Sequence, residues 1–439
     1  MKKNTIEKLS RNFGGSANRE VRIITPDLID EYITIYLNSY PAYKDLSDDG
    51  ISGYKTKYIN SMKNDENITF VGLFEDNNFI ALMKIIDFSM NAFGKMQHSV
   101  GLMSLAVHPM HKKKGAALDM VRFFEAYAKE TNAAVAMLLP FRIDFYRKMG
   151  YGYGSKLDEY RIPTVNLPKF DDISCIKFLD SDDTSQMLEC QREFAGLNHG
   201  MVIKFEDEIR DMFSDSQSKR IGCFIDGKLK GYAIYTFVSE SDVNYTLNRI
   251  EIKELVYLDP QVLNALLGFF RNQSDLAQTT VIRTGEEDFY HILPSAQDTS
   301  GNYVDFGFLQ TNISAVGTMY KIVDLDNFVL LTEYREFPLS DITVGFDYYD
   351  ELSHASKIFA VKFTPKDKFS SCWSPAPSDA PCDVRIECCL SDISSLFMGS
   401  CRLSSLVRLG KIRLSNQSFE PLLDSLFYYR QKPWTNTDY

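Results

Sequence analysis

Cysteine is absent from the first 174 residues of this 439-residue chain, and the eight that follow (175, 190, 223, 372, 382, 388, 389, 401) include no CxxC pair. That spacing excludes a disulfide framework and the common zinc modules. Cys388 and Cys389 are adjacent in what reads as a strand, where neighbours face opposite sides, so both read as inert half-buried thiols. Histidine is equally sparse. Its six positions (98, 108, 111, 199, 291, 354) show no HExxH or similar ligand spacing, and no metal site is expected. No stretch approaches the roughly 18 uncharged apolar residues of a membrane span. The start, MKKNTIEKLSRNFGGS, has basic residues without an apolar run behind them, which leads us to expect a cytoplasmic protein with no membrane partner. A basic surplus is missing too. Net charge is −11; residues 1–160 carry 21 Lys+Arg against 19 Asp+Glu, and the rest carry 27 against 40. Bulk charge therefore opposes nucleic-acid binding. An acidic surface attracts polycationic small molecules, and it also serves plain solubility.

What is present is ordinary globular composition: 44% hydrophobic, 24% charged, with 24 Gly and 15 Pro. At about 100–200 residues per domain, three domains are expected. Residues 1–20 are polar with a Gly14-Gly15-Ser16 run, and read as an N-terminal extension, either a mobile arm or a short packed segment. From Val21 the pattern gives a strand (VRIIT), a helix around Leu28 to Leu37, a loop, strands Ile68 to Phe74 and Phe79 to Met90 joined by an Asp76-Asn77-Asn78 turn, and a strand Ser99 to Val107. A helix from Ala116 to Glu130 follows, with an apolar stripe at Ala117, Val121, Phe124 and Ala128. A strand Ala133 to Leu139 and a short helix Ile143 to Met149 close the first unit, 21–165. A second α/β unit, 166–318, repeats the order and suggests internal duplication. The remainder, 319–439, reads as a separate α+β domain ending in a helix around Pro421 to Tyr429.

Chemistry concentrates in Ser104-Leu105-Ala106-Val107-His-Pro-Met-His111-Lys112-Lys113-Lys114-Gly115-Ala116-Ala117. A strand that ends in a short loop and opens a helix presents unpaired N–H groups at the positive end of the helix dipole, which suits phosphate. Gly115 permits close approach of the backbone, Ala116 and Ala117 avoid a clash, and the lysines add charge. A solvated lysine run at a helix start is the alternative on the segment alone. Downstream come AVAMLLP and Ile143-Asp-Phe145-Tyr146-Arg-Lys-Met-Gly150-Tyr151-Gly-Tyr-Gly154.

With these segments in line, the sequence resembles the GNAT superfamily of acetyl-CoA-dependent N-acetyltransferases, whose motif is (Q/R)-x-x-G-x-(G/A) followed later by an fYrk-GY element. Lys112-x-x-Gly115-x-Ala117 departs from it by Lys in place of Gln or Arg, keeping the charge and losing the guanidinium fork. In the order of its parts, and in CDVRIECCLSDISSLFMGSCRLSSLVRLGKI near the end, the chain is similar to the Eis-type acetyltransferases, which acetylate several amines of aminoglycosides. The resemblance implies an α/β (α+β) fold of tandem GNAT domains with mixed central sheets, a degenerate second copy and a sterol-carrier-protein-like third domain. It implies acetyl-CoA as cosubstrate, no metal, an aminoglycoside or other polyamine as acceptor, direct attack in a ternary complex, and a homo-oligomer (a hexamer built as a trimer of dimers).

The same resemblance assigns roles. Tyr146 becomes the general acid, which suits a phenol that stays protonated at neutral pH. Backbone groups of Leu105, Ala106 and Val107 meet the pantetheine amides and the developing oxyanion, and residues 112–117 hold the pyrophosphate, with the ribose 3′-phosphate or solvent as the alternative partners of Lys113 and Lys114. The family's terminal carboxylate enters the first domain's site, which makes Tyr439 the base and Asp438 its acidic neighbour. Asp27, Asp30, Glu31, Tyr36, Tyr40 and Tyr43 lie in the early helical region that borders the cleft in GNAT folds, and are candidates for acceptor contact or simply solvated and packed residues. Of these, Asp27, Glu31 and Tyr36 are taken with Asp438 as the substrate-binding set. The second unit's counterpart of the cofactor loop, Leu255-Val-Tyr257-Leu-Asp259-Pro260, has no Gly, no basic cluster and an acid where phosphate would lie, so it should not bind CoA. The alternatives are a protein-lysine acetyltransferase, or a lipid-binding or scaffold protein using the third domain.

Overall fold

The chain is described by a computed structural model over residues 2–12, 18–41 and 45–437, without the side chains of residues 2, 3, 11 and 12. The first sheet takes β1 (Arg19–Ile23), β2 (Ile68–Glu75), β3 (Asn78–Ala92), β4 (Lys95–Val107), β5 (Ala136–Leu138) and β6 (Gly152–Tyr153) from one stretch of chain, and a seventh strand from residues 319–321. One face carries α1 (Lys2–Asn12) and α4 (Ala116–Glu130), which bury Ile6, Met120, Val121, Phe124 and Tyr127 against the sheet. The other carries α2 (Ile29–Ser39) and α3 (Asp48–Asn64), with Ile29, Tyr32, Ile33, Tyr36 and Tyr58 in a second apolar cluster. The short α5 (Ile143–Arg147) lies between β5 and β6.

The second sheet contains β7 (Lys156–Pro163), β8 (Ile176–Phe178), β9 (Lys219–Ile225), β10 (Lys228–Ser239), β11 (Asn248–Tyr257), β12 (Thr279–Thr284) and β15 (Ile313–Val316), with α6 (Thr184–Leu197), α7 (Glu206–Asp211) and α8 (Pro260–Arg271) around it. A separate hairpin, β13 (Tyr303–Asp305) and β14 (Phe308–Leu309), is exposed along its length, with Phe306 fully so. Next in the chain is β16 (Met319–Lys321), the strand that completes the first sheet. The third unit has β17 (Phe337–Pro338), β18 (Ile342–Asp350), β19 (Ala355–Pro365), β20 (Ser370–Ala376), β21 (Val384–Cys389) and β22 (Arg413–Leu414) in one sheet, covered by α9 (Leu325–Leu331), α10 (Leu390–Phe397), α11 (Leu403–Arg408) and α12 (Glu420–Phe427). Its interior is filled: Trp373 and Phe397 pack at 5.3 Å, Phe397 and Phe427 at 5.5 Å, and all three are buried.

The structure differs from the sequence reading in detail. The stretch placed in a loop between Leu37 and Ile68 contains the 17-residue α3, capped by Ser47 on the Gly50 N–H. Ile51, Tyr54, Tyr58, Ile59 and Met62 recur at helical spacing and pack on the second apolar cluster, but of these only Tyr58 is buried, and Gly50, Gly53, Lys55 and Lys57 dilute the pattern. Of the two readings of the N-terminal extension, a mobile arm or a short packed one, the structure has the packed one: α1 packs on α4 through Ile6, and β1 begins at Arg19. The boundaries at 165 and 318 follow the chain and not the sheets. β7, drawn into the first unit, pairs with β12 and β15 in the second sheet, while β16, drawn into the third, pairs with β5 and β6 in the first. No helix among the described residues is long and apolar enough to cross a membrane.

Candidate active site

β4 is paired with β5 only from Val100 to Leu102, yet it runs on to Val107. Over that last stretch its edge facing β5 has no strand partner, so backbone groups of residues 104–107 stand open to a ligand. A bulge sharpens the bend. Ala106 pairs with Leu82 and Met103 with Lys84, leaving one extra residue on β4, and Ser104 sits at φ 57°. The Tyr40 hydroxyl donates to the Leu105 carbonyl at 3.3 Å, tying α2 to this open edge.

The loop after β4 turns through a short 3-10 helix, Pro109–His111, before Gly115 caps α4 at φ 85°. That left-handed conformation suits glycine and turns the first-turn N–H groups of α4 outward, where they have no side-chain cap. Lys112, Lys113 and Lys114 are exposed, and within the described residues their ammonium groups make no hydrogen bond or ion pair. Behind the loop, buried Arg19 acts as a brace: it bonds Asp119 of α4 at 2.8 Å, the Lys114 carbonyl at 2.9 Å and Glu75 at 2.8 Å. The Arg19 guanidinium holds the Glu75 carboxyl below the usual carboxylate range. Sequence reasoning missed this brace, which joins residues a hundred positions apart.

These parts meet in one cavity of about 420 Å³, lined by Tyr40, Leu105, Ala106, Val107, Lys112, Lys113, Gly115, Ala116, Ala117, Phe141 and Tyr146. Lys114 lies outside that lining. Tyr146, on α5, is 5% exposed, and its burial, with Tyr40 adding repulsion, pushes the phenol pKa well above the ordinary value. Such a phenol keeps its proton at any pH near neutrality.

A second cavity, about 340 Å³, lies on the other side of the bulge. Met103 and Lys84 form one wall, Tyr58 and Asp65 another, and Phe205, Asp207, Glu208 and Asp211 of the second unit close it. The Lys84 ammonium lies 4.1 Å from the Tyr58 ring centroid and 5.0 Å from that of Phe70. Burial raises the Asp65 pKa, and the charges of Asp207 and Asp211 raise it further. The acidic run in EDEIRD, 206–211, was the only sequence signal for this cavity, and nothing in it indicates that α7 would face α3.

The candidate acceptor residues are not gathered there. Asp27 and Glu31 are exposed and line neither cavity, because they fall on the solvent face of the same amphipathic segment that buries Ile29, Ile33 and Tyr36. Asp30 pairs with Lys55 at 2.6 Å. Tyr36 is buried among Tyr32, Tyr40 and Tyr58. Tyr43, Asp438 and Tyr439 lie outside the described residues.

The second unit repeats the strand geometry without the anion site. β11 pairs with β12 only from Arg249 to Ile252 and then runs on to Tyr257. At the start of α8 the Asp259 carboxylate accepts the Val262 N–H at 2.9 Å, so an acid occupies the place of a phosphate. The chain's own tail is packed on this unit. Trp434 lies against Gly285 and Phe194, and the Asn436 amide donates to Glu254 at 3.2 Å. Buried Lys204 donates to the Asn436 carbonyl at 3.3 Å. Among the described residues, no three or more His, Cys, Asp or Glu side chains are grouped to hold a metal ion.

The open strand edge, the uncapped helix start and the buried phenol meet on one cavity. The chain belongs to the GNAT acetyltransferases: residues 20–154 and residues 200–306 each match an acetyltransferase (GNAT) domain. GNAT domains use acetyl-CoA, and the chain is an acetyl-CoA-dependent N-acetyltransferase with an Eis-like arrangement of tandem domains. Three solved structures share the fold over nearly the whole length. A GCN5-related N-acetyltransferase from Anabaena variabilis aligns with a TM-score of 0.76 at 15% identity, covering 96% of this chain and 100% of that one. A conserved protein of unknown function from Enterococcus faecalis, a probable N-acyltransferase, gives 0.74 at 16%, covering 96% and 99%. Eis1 from Mycobacterium abscessus gives 0.72 at 17%, covering 96% and 100%. No curated protein matches the sequence.

Proposed function

We propose that the first GNAT domain transfers acetyl from acetyl-CoA to amines of a polycationic acceptor, an aminoglycoside or another polyamine, by direct attack in a ternary complex. The observation that carries this reading is the placement of the buried Tyr146 phenol on the same cavity as the open β4 edge and the start of α4. When bound, acetyl-CoA supplies an activated thioester carbonyl. The first-turn N–H groups of α4, with Lys112 and Lys113 of the cavity lining, hold the pyrophosphate. Backbone groups of Leu105, Ala106 and Val107 orient the pantetheine arm and face the oxygen on which charge develops. Tyr146 donates its proton to the departing sulfur.

The acidic cavity across the bulge suits the acceptor. The charges of Asp207 and Asp211 repel that of the Asp65 carboxyl there, and a polyamine relieves that repulsion. The Tyr439 carboxylate is the base that takes the amine proton, with Asp438 beside it. This placement is supported by the tail, which is anchored as far as Thr437, with Asn436 held by Lys204, the neighbour of cavity-lining Phe205. The third domain is read as sterol-carrier-protein-like and the protein as a cytoplasmic homo-oligomer, a hexamer built as a trimer of dimers, in which the exposed β13–β14 hairpin would be covered.

The test is consumption of acetyl-CoA with tobramycin, kanamycin and a panel of linear polyamines, with mass spectrometry of the products. Acceptors heavier by one or more acetyl groups are expected. Acetylation of protein lysines alone, with every polyamine unmodified, would move the reading to a protein acetyltransferase.

A further inference from the structure

A strand from far along the chain holds the turn that follows Tyr146. β16 lies between β5 and β6, and the side chain of its last residue, Lys321, is 2% exposed. The Lys321 ammonium donates to the Met149 carbonyl at 2.7 Å and to Glu125 of α4 at 2.8 Å. Met149 in turn closes on the phenol's own residue: the Tyr146 carbonyl accepts the Met149 N–H at 2.9 Å and the Tyr151 N–H at 3.2 Å. The Tyr151 ring stands edge-on to the Tyr146 ring at 5.9 Å, with the ammonium 5.9 Å from the Tyr151 centroid. Gly150, at φ 87°, lets the turn close; a Cβ there would lie 3.1 Å from Lys321 Cε and 3.3 Å from Glu351 Oε2.

An ion pair kept only for stability accounts for the bond to Glu125 and nothing more. The ammonium has further N–H donors to satisfy, and one of them goes to a main-chain carbonyl three residues past the phenol. The carboxylates around it are incompletely satisfied, since Glu125 Oε1 and Glu351 Oε2 are buried without a partner. Burial pushes Glu125 up to about 7 against the opposing pull of Lys321, and Asp350 with Lys357 completes the charged groups around it. A second hold comes from the same direction. Arg147 of α5 pairs with Asp392 of α10 at 3.1 Å. Groups from beyond residue 318 thus grip both α5 and the turn behind it.

We propose that Lys321 is a positioning residue for Tyr146: through the Met149 carbonyl it fixes the turn that aims the phenol into the donor cavity, so that the end of the chain sets the geometry of the first domain's site. The proposal rests on the reading of Tyr146 as general acid.

Replacing Lys321 alone would leave the Glu125 charge buried without its partner. The informative variant is therefore Lys321→Met with Glu125→Gln, compared with Glu125→Gln alone, which keeps the ammonium on the Met149 carbonyl. We expect the double variant to lose about ten- to a hundredfold in kcat, as misplacement of a reacting group does, with acetyl-CoA affinity held within about twofold. Glu125→Gln alone should keep kcat within about threefold of wild type, and adding the double variant to Tyr146→Phe should cost nothing further. If the double variant does not fold, Lys321→Gln with Glu125→Gln is scored by the same readouts. Wild-type kcat in a folded variant, a parallel loss of kcat and acetyl-CoA affinity, or full additivity with Tyr146→Phe overturns the proposal. Full kcat in Tyr146→Phe overturns the underlying reading, a result distinct from an enzyme that needs Tyr146 and ignores residue 321.

Discussion

At the scale of single residues, the proposed function gives the phenol and the acids around the bulge separable jobs. Tyr146→Phe removes one oxygen from a packed ring, so acetyl-CoA should bind as before while kcat falls by about 10²–10⁴; steady-state kinetics beside a binding isotherm check this. Because burial raises the phenol's pKa, loss of its proton should not limit kcat below a pH of about 10, the ordinary value. Asp207→Asn relieves repulsion on Asp65 and removes a charge from the second cavity. It should raise KM for a polyamine about tenfold, as loss of one charge-assisted contact does, and leave KM for acetyl-CoA alone. Gly115 and Tyr146 were legible in the sequence because they belong to one continuous motif on one strand-loop-helix unit. Asp65 and Asp207 were not, since only the docking of α7 against α3 brings them together. Asp27 and Glu31 show the complementary limit: a region bordering a cleft has two faces, and these two residues lie on the wet one, lining neither cavity.

Elements tell the same story with longer arms. β4, α4 and the hairpin of β2 with β3 were readable from periodicity and turn residues, and they place the donor cavity. The exchange of β7 and β16 was not readable, because a three-residue strand such as Met319-Tyr320-Lys321 carries no period. Its consequence is physical. Without β16, β5 and β6 have no strand between them, and Lys321 is missing from the buried face of α4. A fragment spanning residues 1–165 should therefore fail to give a cooperative urea transition, although it contains every residue of the donor cavity. A sharp transition from that fragment would show that the exchanged strand is dispensable.

Across the whole molecule, the three units meet at His199. The Phe93 N–H donates to His199 Nδ1 at 3.1 Å, and Nε2–H donates to the Met398 carbonyl at 2.9 Å, which fixes a neutral ring. The His199 carbonyl accepts the Trp434 N–H at 3.1 Å, so the tail is tied at the same point. Burial pulls the His199 pKa down to about 4. A base depressed in the folded state contributes stability that is complete above its ordinary pKa of about 6.5 and is lost as pH falls toward the folded value. The melting temperature should thus drop between pH 6.5 and about 4 in wild type, and His199→Gln should flatten that part of a calorimetric pH series. The central claim is that the first cleft takes the thioester and the second, filled by Asp259 and overlain by the tail, does not. Titration calorimetry with acetyl-CoA tests it most directly. One molecule bound per chain, with heat abolished by Gly115→Glu, is the predicted result; two per chain, or unchanged binding in that variant, would contradict it.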